Sequence, residues 1–134
     1  MKYSDLYIGQ LSKSSKKITS EDVLKFAELS GDFNPIHTHE EFAAKSIFKN
    51  RIVHGMLVAS FISKVIATDL PGPGTIYLNQ VLNFIKPVYH DSEVMIIIEV
   101  QSLKSDKKIA FLKTTCLVND VIVIDGSAII KILD

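Results

Sequence analysis

Two side chains that can exchange protons stand near the ends of the segment GDFNPIH, residues 31–37. Asp32 supplies a carboxylate and His37 an imidazole, and both kinds of group serve as general acids and bases. Pro35 fixes its own φ angle and directs Asn34 towards an extended conformation, so the turn between the two side chains is stiff. Such a turn can point Asp32 and His37 at one spot, where they would hold a single water molecule. The residues alone also allow a surface turn that happens to contain Asp and His.

A second candidate feature is Gly55, which stands where a long apolar segment begins in RIVHGMLVAS, residues 51–60. The first N–H groups of a helix lack internal partners and carry partial positive charge. Glycine lets a ligand approach that backbone closely, so an oxygen gaining negative charge would be stabilised there as in an oxyanion hole. A simple helix-entry glycine is the alternative.

The helices that must position these residues follow from hydrophobic spacing. Residues 55–70 have helical length, and their apolar side chains cover most of the circumference, so the helix has to be enclosed. Earlier in the chain, a short strand leads into a helix that Thr19 and Asp22 cap and that Gly31 ends. Residues 40–47 predict a second short helix.

Almost everything after the long helix predicts β-strand, with apolar and polar residues alternating. The connections at 104–107 and 119–120 are short and polar, as in hairpins. With the N-terminal strand, these segments predict an α+β fold in which an antiparallel sheet of about five strands wraps around the long central helix, the hot-dog fold. Exposed sheet edges favour a homodimer. The four later strands are predicted at 75–85, 92–103, 108–118 and 121–133.

Composition excludes several classes of protein. A chain of 134 residues suits one domain, residues 1–134, and a formal net charge of zero argues against a nucleic-acid partner. The longest apolar stretch, 52–67, contains His54 and Lys64 and is shorter than the ~20 residues needed to cross a bilayer. Without the apolar run of a signal peptide, the chain is expected in the cytoplasm. Cys116, the single cysteine, is expected to be a buried, inert thiol.

The motifs DFNPIH and IVHGML together resemble those of the MaoC-like hydratases, specifically the short (R)-specific enoyl-CoA hydratases. The likeness extends over almost the whole chain, through IGQ, LPGPGTIYLNQVLNF and PVYHDSEV. It implies a hot-dog fold with a helical and loop overhang that carries the active site. It also implies reversible hydration of trans-2-enoyl-CoA to (R)-3-hydroxyacyl-CoA without a cofactor. Short acyl chains are favoured because Phe61, Ile62 and Ile66 are bulky.

The resemblance also implies roles for individual residues. Asp32 and His37 would form a catalytic dyad that holds one water molecule. In the simplest assignment Asp32 is the base, and the reverse allocation remains open. The Gly55 N–H would bind the thioester oxygen, and Ser63 matches a serine that lines the family's active site. Ser63 is otherwise a small polar residue bonded to its own helix.

The remaining histidines are given smaller roles. His54 would shape the loop before Gly55 without being catalytic, and His90 is expected in a solvated turn. His39 departs from the family, which commonly has an acid at that position. No metal site is predicted, because His37 and His39 lack a third ligand at suitable spacing.

Three classes of function compete at this point. Besides the acyl-CoA hydratase, the chain could be another hot-dog enzyme, either a thioesterase or a dehydratase that acts on carrier-protein thioesters. A thioesterase would need an acid on the enclosed helix, and residues 55–67 contain neither Asp nor Glu. A non-catalytic acyl-binding domain is the third class. Lys49, Arg51 and Lys86 are candidates for contacting CoA phosphates.

Overall fold

The computed structural model describes residues 1–134 as one antiparallel sheet of five strands with helices on one face. The strand order is β1-β3-β4-β5-β2, so β1 and β2 are the two edges. This architecture confirms the predicted α+β hot-dog fold. The strands are β1 (Leu11–Lys17), β2 (Thr75–Phe84), β3 (Glu93–Lys104), β4 (Ile109–Val118) and β5 (Val121–Ile132). The helices are α1 (Ser20–Ser30), α2 (Pro35–Thr38), α3 (Glu40–Ala44) and α4 (Gly55–Thr68), with 3₁₀ turns at Tyr3–Asp5 and Ser105–Lys107.

The register of the sheet is set by the alternation of buried and exposed residues along the strands and by one tight turn. Every second residue of β3 from Val94 to Val100 is buried against the helical layer. Between β4 and β5, Asn119 and Asp120 have φ angles of 50° and 63°. Both values suit a two-residue type I′ turn, whose twist matches that of the strands, so this predicted hairpin is confirmed.

Helix α4 packs its apolar side onto the sheet. Its buried residues are Leu57, Val58, Ala59, Ile62, Val65 and Ile66. Met56 remains 58% exposed, and Ser60 and Ser63 are exposed as well. The single chain therefore differs from the expectation of a helix enclosed on all sides, because the sheet covers α4 from one side only.

Residues 31–54 form the overhang, the segment between α1 and α4 that contains the short helices α2 and α3. Its start is fixed by Gly31, which has a φ angle of 79° and ends α1 as predicted. The predicted Thr19–Asp22 capping box at the other end of α1 is also present. At its far end, the Val53 N–H donates to the Val88 carbonyl, and Ile52 bridges to Tyr89. These bonds attach the overhang to the connection between β2 and β3, beside the first turn of α4.

His39 takes the place of the missing acid at the start of α3. Its Nδ1 accepts a hydrogen bond from the Phe42 N–H at 3.1 Å. A ring nitrogen thus caps this helix as a carboxylate would, although α3 ends at Ala44, earlier than the predicted residue 47.

Two further predictions concern burial. Cys116 is buried on the inner face of β4, and burial raises the pKa of its thiol to about 12, as expected for an inert cysteine. No helix of the structure combines the length and the apolar character needed to cross a lipid bilayer.

Candidate active site

The turn that carries the predicted dyad is held by its own side chains. The Asp32 carboxylate accepts from the Asn34 N–H at 3.1 Å, and the Asn34 side chain accepts from the Ile36 N–H at 3.3 Å. Asn34 has φ −51° and ψ 123°, away from the helical region, as the following proline requires. Pro35 then opens α2, which ends just after His37. These local bonds bring the Asp32 and His37 side chains back towards each other.

The two predicted catalytic side chains do face a common point. A carboxylate oxygen of Asp32 and ring nitrogens of His37 and His54 lie within 4.8 Å of one another. Asp32 and His37 form no direct hydrogen bond. A water that donates one hydrogen bond to each of two acceptors separates them by about 4.6 Å, given ordinary O–H···O lengths. A separation within 4.8 Å and without a direct hydrogen bond is within reach of one bridging water.

The tautomer of His37 follows from its main-chain partner. His37 Nδ1 lies 2.8 Å from the carbonyl oxygen of Ile52. A carbonyl only accepts, so Nδ1 carries the hydrogen, and Nε2 of the neutral ring is an acceptor. Burial lowers the pKa of His37 below 6.5, and the neighbouring His54 lowers it further. The Ile52 hydrogen bond and the Asp32 charge raise the pKa and offset part of this shift. A neutral ring with a free Nε2 lone pair is thus favoured at neutral pH.

The first turn of α4 presents unused N–H groups. The N–H groups of Leu57 and Val58 both donate to the His54 carbonyl, at 3.0 and 3.2 Å. The N–H groups of Gly55 and Met56 have no acceptor within the chain. Gly55 lines the same cavity as His37, so its N–H is available to an anionic oxygen there.

Gly55 also lies directly against an aromatic ring. A Cβ atom at this position would lie 2.6 Å from Cε1 of Phe84, closer than real Cβ contacts allow. Phe84 ends β2 and lines the cavity on the side facing Gly55. The absence of a side chain thus leaves room for the aromatic ring and for the approach of a ligand to the helix start.

The cavity beside His37 and Gly55 has a volume of about 500 Å³. Nine of its 13 lining residues are hydrophobic, among them Phe48, Val58, Phe84 and Ile124. An apolar cavity with a few polar groups at one end suits a ligand that has an apolar chain and one reactive polar group.

Ser63 is the predicted site residue that the single chain does not bring to this cavity. It lies two turns after Gly55 on the exposed face of α4, with the neighbouring Ser60, whose hydroxyl donates to the Leu57 carbonyl at 2.6 Å. Asp32 is exposed and does not itself line the cavity. It lies near the cavity because its carboxylate is close to His37, which does line it. The structure thus brings Asp32, His37 and Gly55 together and leaves Ser63 apart.

The expectation of a solvated His90 is wrong. His90 is half-buried, its Nδ1 lies 2.8 Å from the Ser20 hydroxyl, and its Nε2 is buried without a partner. The bonds from Val88 and Tyr89 to the overhang draw this turn beneath the start of α1. Burial accordingly lowers the pKa of His90.

The cationic candidates for CoA binding are scattered around the cavity. Lys86 lines it, whereas Arg51 lines a neighbouring polar pocket together with Tyr89 and His90. Lys49 is exposed on the overhang.

His54 is the site residue whose importance the sequence did not reveal. It is only 2% exposed, its ring stacks on His37 with 4.0 Å between centroids, and its Nε2 lies 2.9 Å from the Asp32 carbonyl oxygen. The one signal in the sequence is a histidine inside the apolar run IVHGML. Asp32, His37 and His54 also form a group whose ligand atoms lie close enough together to hold a metal ion, and the prediction from the sequence did not include His54 in such a set.

Comparison with known proteins shows the family to which the chain belongs. Residues 8–122 match the family model described as MaoC like domain. The chain belongs to the MaoC-like family. It is 45% identical over 130 residues to a 3-hydroxybutyryl-CoA dehydratase of Methylorubrum extorquens, covering 97% of this chain and 83% of that one. It is 43% identical over 130 residues to an (R)-specific enoyl-CoA hydratase of Rhodospirillum rubrum, covering 97% and 90%.

A solved structure of a MaoC-like relative has nearly the same backbone. The (R)-hydratase from A. caviae involved in PHA biosynthesis superposes with a TM-score of 0.93 at 42% identity, covering 96% of this chain and 98% of that one. The overhang and the α4 start of the present chain thus belong to a fold already known to carry an (R)-hydratase.

Proposed function

We propose that this MaoC-like protein is an (R)-specific enoyl-CoA hydratase, a hydro-lyase that reversibly adds water to trans-2-enoyl-CoA. The observation that carries this proposal is the spacing of Asp32 and His37 beside the unpaired Gly55 N–H. That arrangement provides an acceptor pair for one water and a donor for one oxygen, the two requirements for adding water to an α,β-unsaturated thioester. The product is (R)-3-hydroxyacyl-CoA.

The dyad orients the water. Its two hydrogens donate to the Asp32 carboxylate and to Nε2 of His37, which leaves an oxygen lone pair to attack C3. The Gly55 N–H donates to the thioester oxygen and stabilises the negative charge that develops as the C3–O bond forms. A donor of this kind contributes on the order of 10²–10³-fold in turnover.

The hydrogen bond to Ile52 supports His37 as the base, the second of the two allocations that the sequence leaves open. Neutral His37 has a lone pair at Nε2 and no proton there to give. We assign it the removal of one water proton as hydroxide adds to C3, and Asp32 the stabilisation of the resulting imidazolium. The same Nε2 proton then passes to C2, so one water is added and no outside acid is consumed.

The substrate is proposed to be a short-chain acyl-CoA thioester. The apolar lining of the cavity and the sequence likeness to a 3-hydroxybutyryl-CoA dehydratase support this choice. A carrier-protein thioester is the second candidate, because the proposed dyad would contact only the acyl end of the substrate, which both thioesters share. We further propose a homodimer in the cytoplasm, where the free thiol of Cys116 would stay reduced.

The decisive experiment follows crotonyl-CoA with the purified protein. Loss of the conjugated double bond without release of free thiol, and an (R) product on chiral analysis, is the expected result. Thiol release would indicate a thioesterase, and no reaction with either crotonyl-CoA or a crotonyl carrier protein would indicate a non-catalytic binding domain. Comparing kcat/KM for the two thioesters decides between the carriers.

A further inference from the structure

His54 contacts both members of the dyad without lining the cavity. Its Nε2–H donates to the main-chain carbonyl of Asp32 at 2.9 Å. Its ring lies on the His37 ring with 28° between the planes, and Phe26 packs against it in an edge-to-face arrangement with 4.9 Å between the ring centroids. One buried side chain therefore connects the Asp32 main chain, the His37 ring and α1.

The tautomer of His54 is determined in the same way as that of His37. Because the Asp32 carbonyl only accepts, Nε2 carries the hydrogen and Nδ1 is left with a lone pair. Nδ1 is buried and has no partner, so a second proton placed there would have no acceptor. The stacked partner of His37 thus makes one polar contact, to the Asp32 main chain, and none through Nδ1. The other titratable groups around His37 are Asp32 and His90.

We propose that His54 is a positioning residue for the reaction: its Nε2–H fixes the Asp32 main chain, and its ring fixes the plane of His37. The two contacts are separate, one polar and one aromatic, and each acts on a different member of the dyad. The inference rests on the proposed hydratase function for its kinetic readout. It goes further because it gives a buried residue outside the reacting pair the role of setting the distance between Asp32 and His37.

Two substitutions separate the contacts. H54F keeps an aromatic ring against His37 and removes the donor to Asp32. H54Q keeps an amide N–H near the position of Nε2 and removes the ring. Ser60→Ala, on the exposed face of α4, is the control and should leave kcat unchanged.

H54F is expected to lower kcat on the order of 10²-fold with little change in KM, since a displacement of about 1 Å in a reacting group has that effect. H54Q is expected to keep more of kcat but to move the acid limb of the pH profile to higher pH, because His37 loses ring cover. Wild-type kcat in H54F, or an unmoved acid limb in H54Q, overturns the proposal. Each rate is divided by the concentration of folded protein, which circular dichroism and thermal melts measure.

A measurement without substrate keeps this inference distinct from the proposed function. The titration of His37 is followed by imidazole NMR in the wild type, H54Q and Ser60→Ala. A His37 titration that moves to higher pH in H54Q alone supports positioning by the ring, even if crotonyl-CoA is not hydrated. An identical titration in all three proteins contradicts it. If H54F does not fold, H54Q decides the result.

Discussion

The protonation state of His37 determines the pH dependence of the proposed reaction. Burial lowers its pKa below 6.5. In the proposed mechanism the active form for hydration is the neutral ring. As the pH falls through that lowered pKa, the ring gains a proton at Nε2 and can no longer accept one from water. We therefore expect kcat/KM to be level around neutral pH and to decline only below 6.5. A pH–rate profile checks this expectation, and an acid limb centred above pH 7 would contradict it.

Asp32 can be tested by removing its charge without changing its shape. Asp32→Asn is expected to lower kcat by 10²–10⁴-fold, the usual range for a positioned acid or base. It should also move the remaining acid limb to lower pH, because the Asp32 charge raises the pKa of His37. Glu41→Gln, an exposed change on the same overhang, is the control. Equal rates in the two variants would remove Asp32 from the mechanism.

At the scale of the elements, the contact between α4 and the end of β2 explains why position 55 has no side chain. Gly55→Ala places Cβ 2.6 Å from Phe84, so the ring has to move. We expect a loss of about 1–3 kcal/mol in the free energy of unfolding, typical of overpacking, together with at least a tenfold loss of kcat/KM. Denaturant titration and kinetics measure the two effects.

The double variant Gly55→Ala/Phe84→Ala separates packing from catalysis in the same contact. Without the ring, alanine at position 55 should cost little further stability relative to Phe84→Ala alone. If Gly55→Ala costs as much stability without the Phe84 ring as with it, the strain does not come from Phe84. A coupling energy between the two sites is the quantity to extract, because residues in contact are not additive.

Elements set by local chemistry were predictable from the sequence, and contacts between distant segments were not. The Thr19–Asp22 capping box and the Asn119-Asp120 turn depend on neighbouring residues, so both were predicted correctly. The burial of His90 depends on Ser20, 70 residues away, and the stacking of His54 on His37 depends on the path of the whole overhang. Asp32 and His37 were found because a short motif places both on one turn.

At the scale of the whole molecule, edge strand β2 is the surface that a single chain leaves unfinished. Its exposed apolar residues are Ile76, Tyr77, Leu78, Val81 and Phe84. An unpaired strand edge with apolar side chains favours pairing with a second copy. Phe84 also lines the cavity, so β2 connects the proposed dimer contact to the proposed active site.

This connection gives a test that couples assembly to activity. We expect light scattering to show that the wild type is a homodimer. Leu78→Asp should dissociate it, because the change puts a charge into the proposed apolar contact at a side chain that is already half covered in the single chain. The monomeric variant should lose most of its kcat/KM, since Phe84 and the neighbouring Ile85 and Lys86 all line the cavity. Leu29→Asp on α1, where the leucine is 87% exposed, should change neither property. A Leu78→Asp monomer with wild-type activity would show that the cavity is complete within one chain.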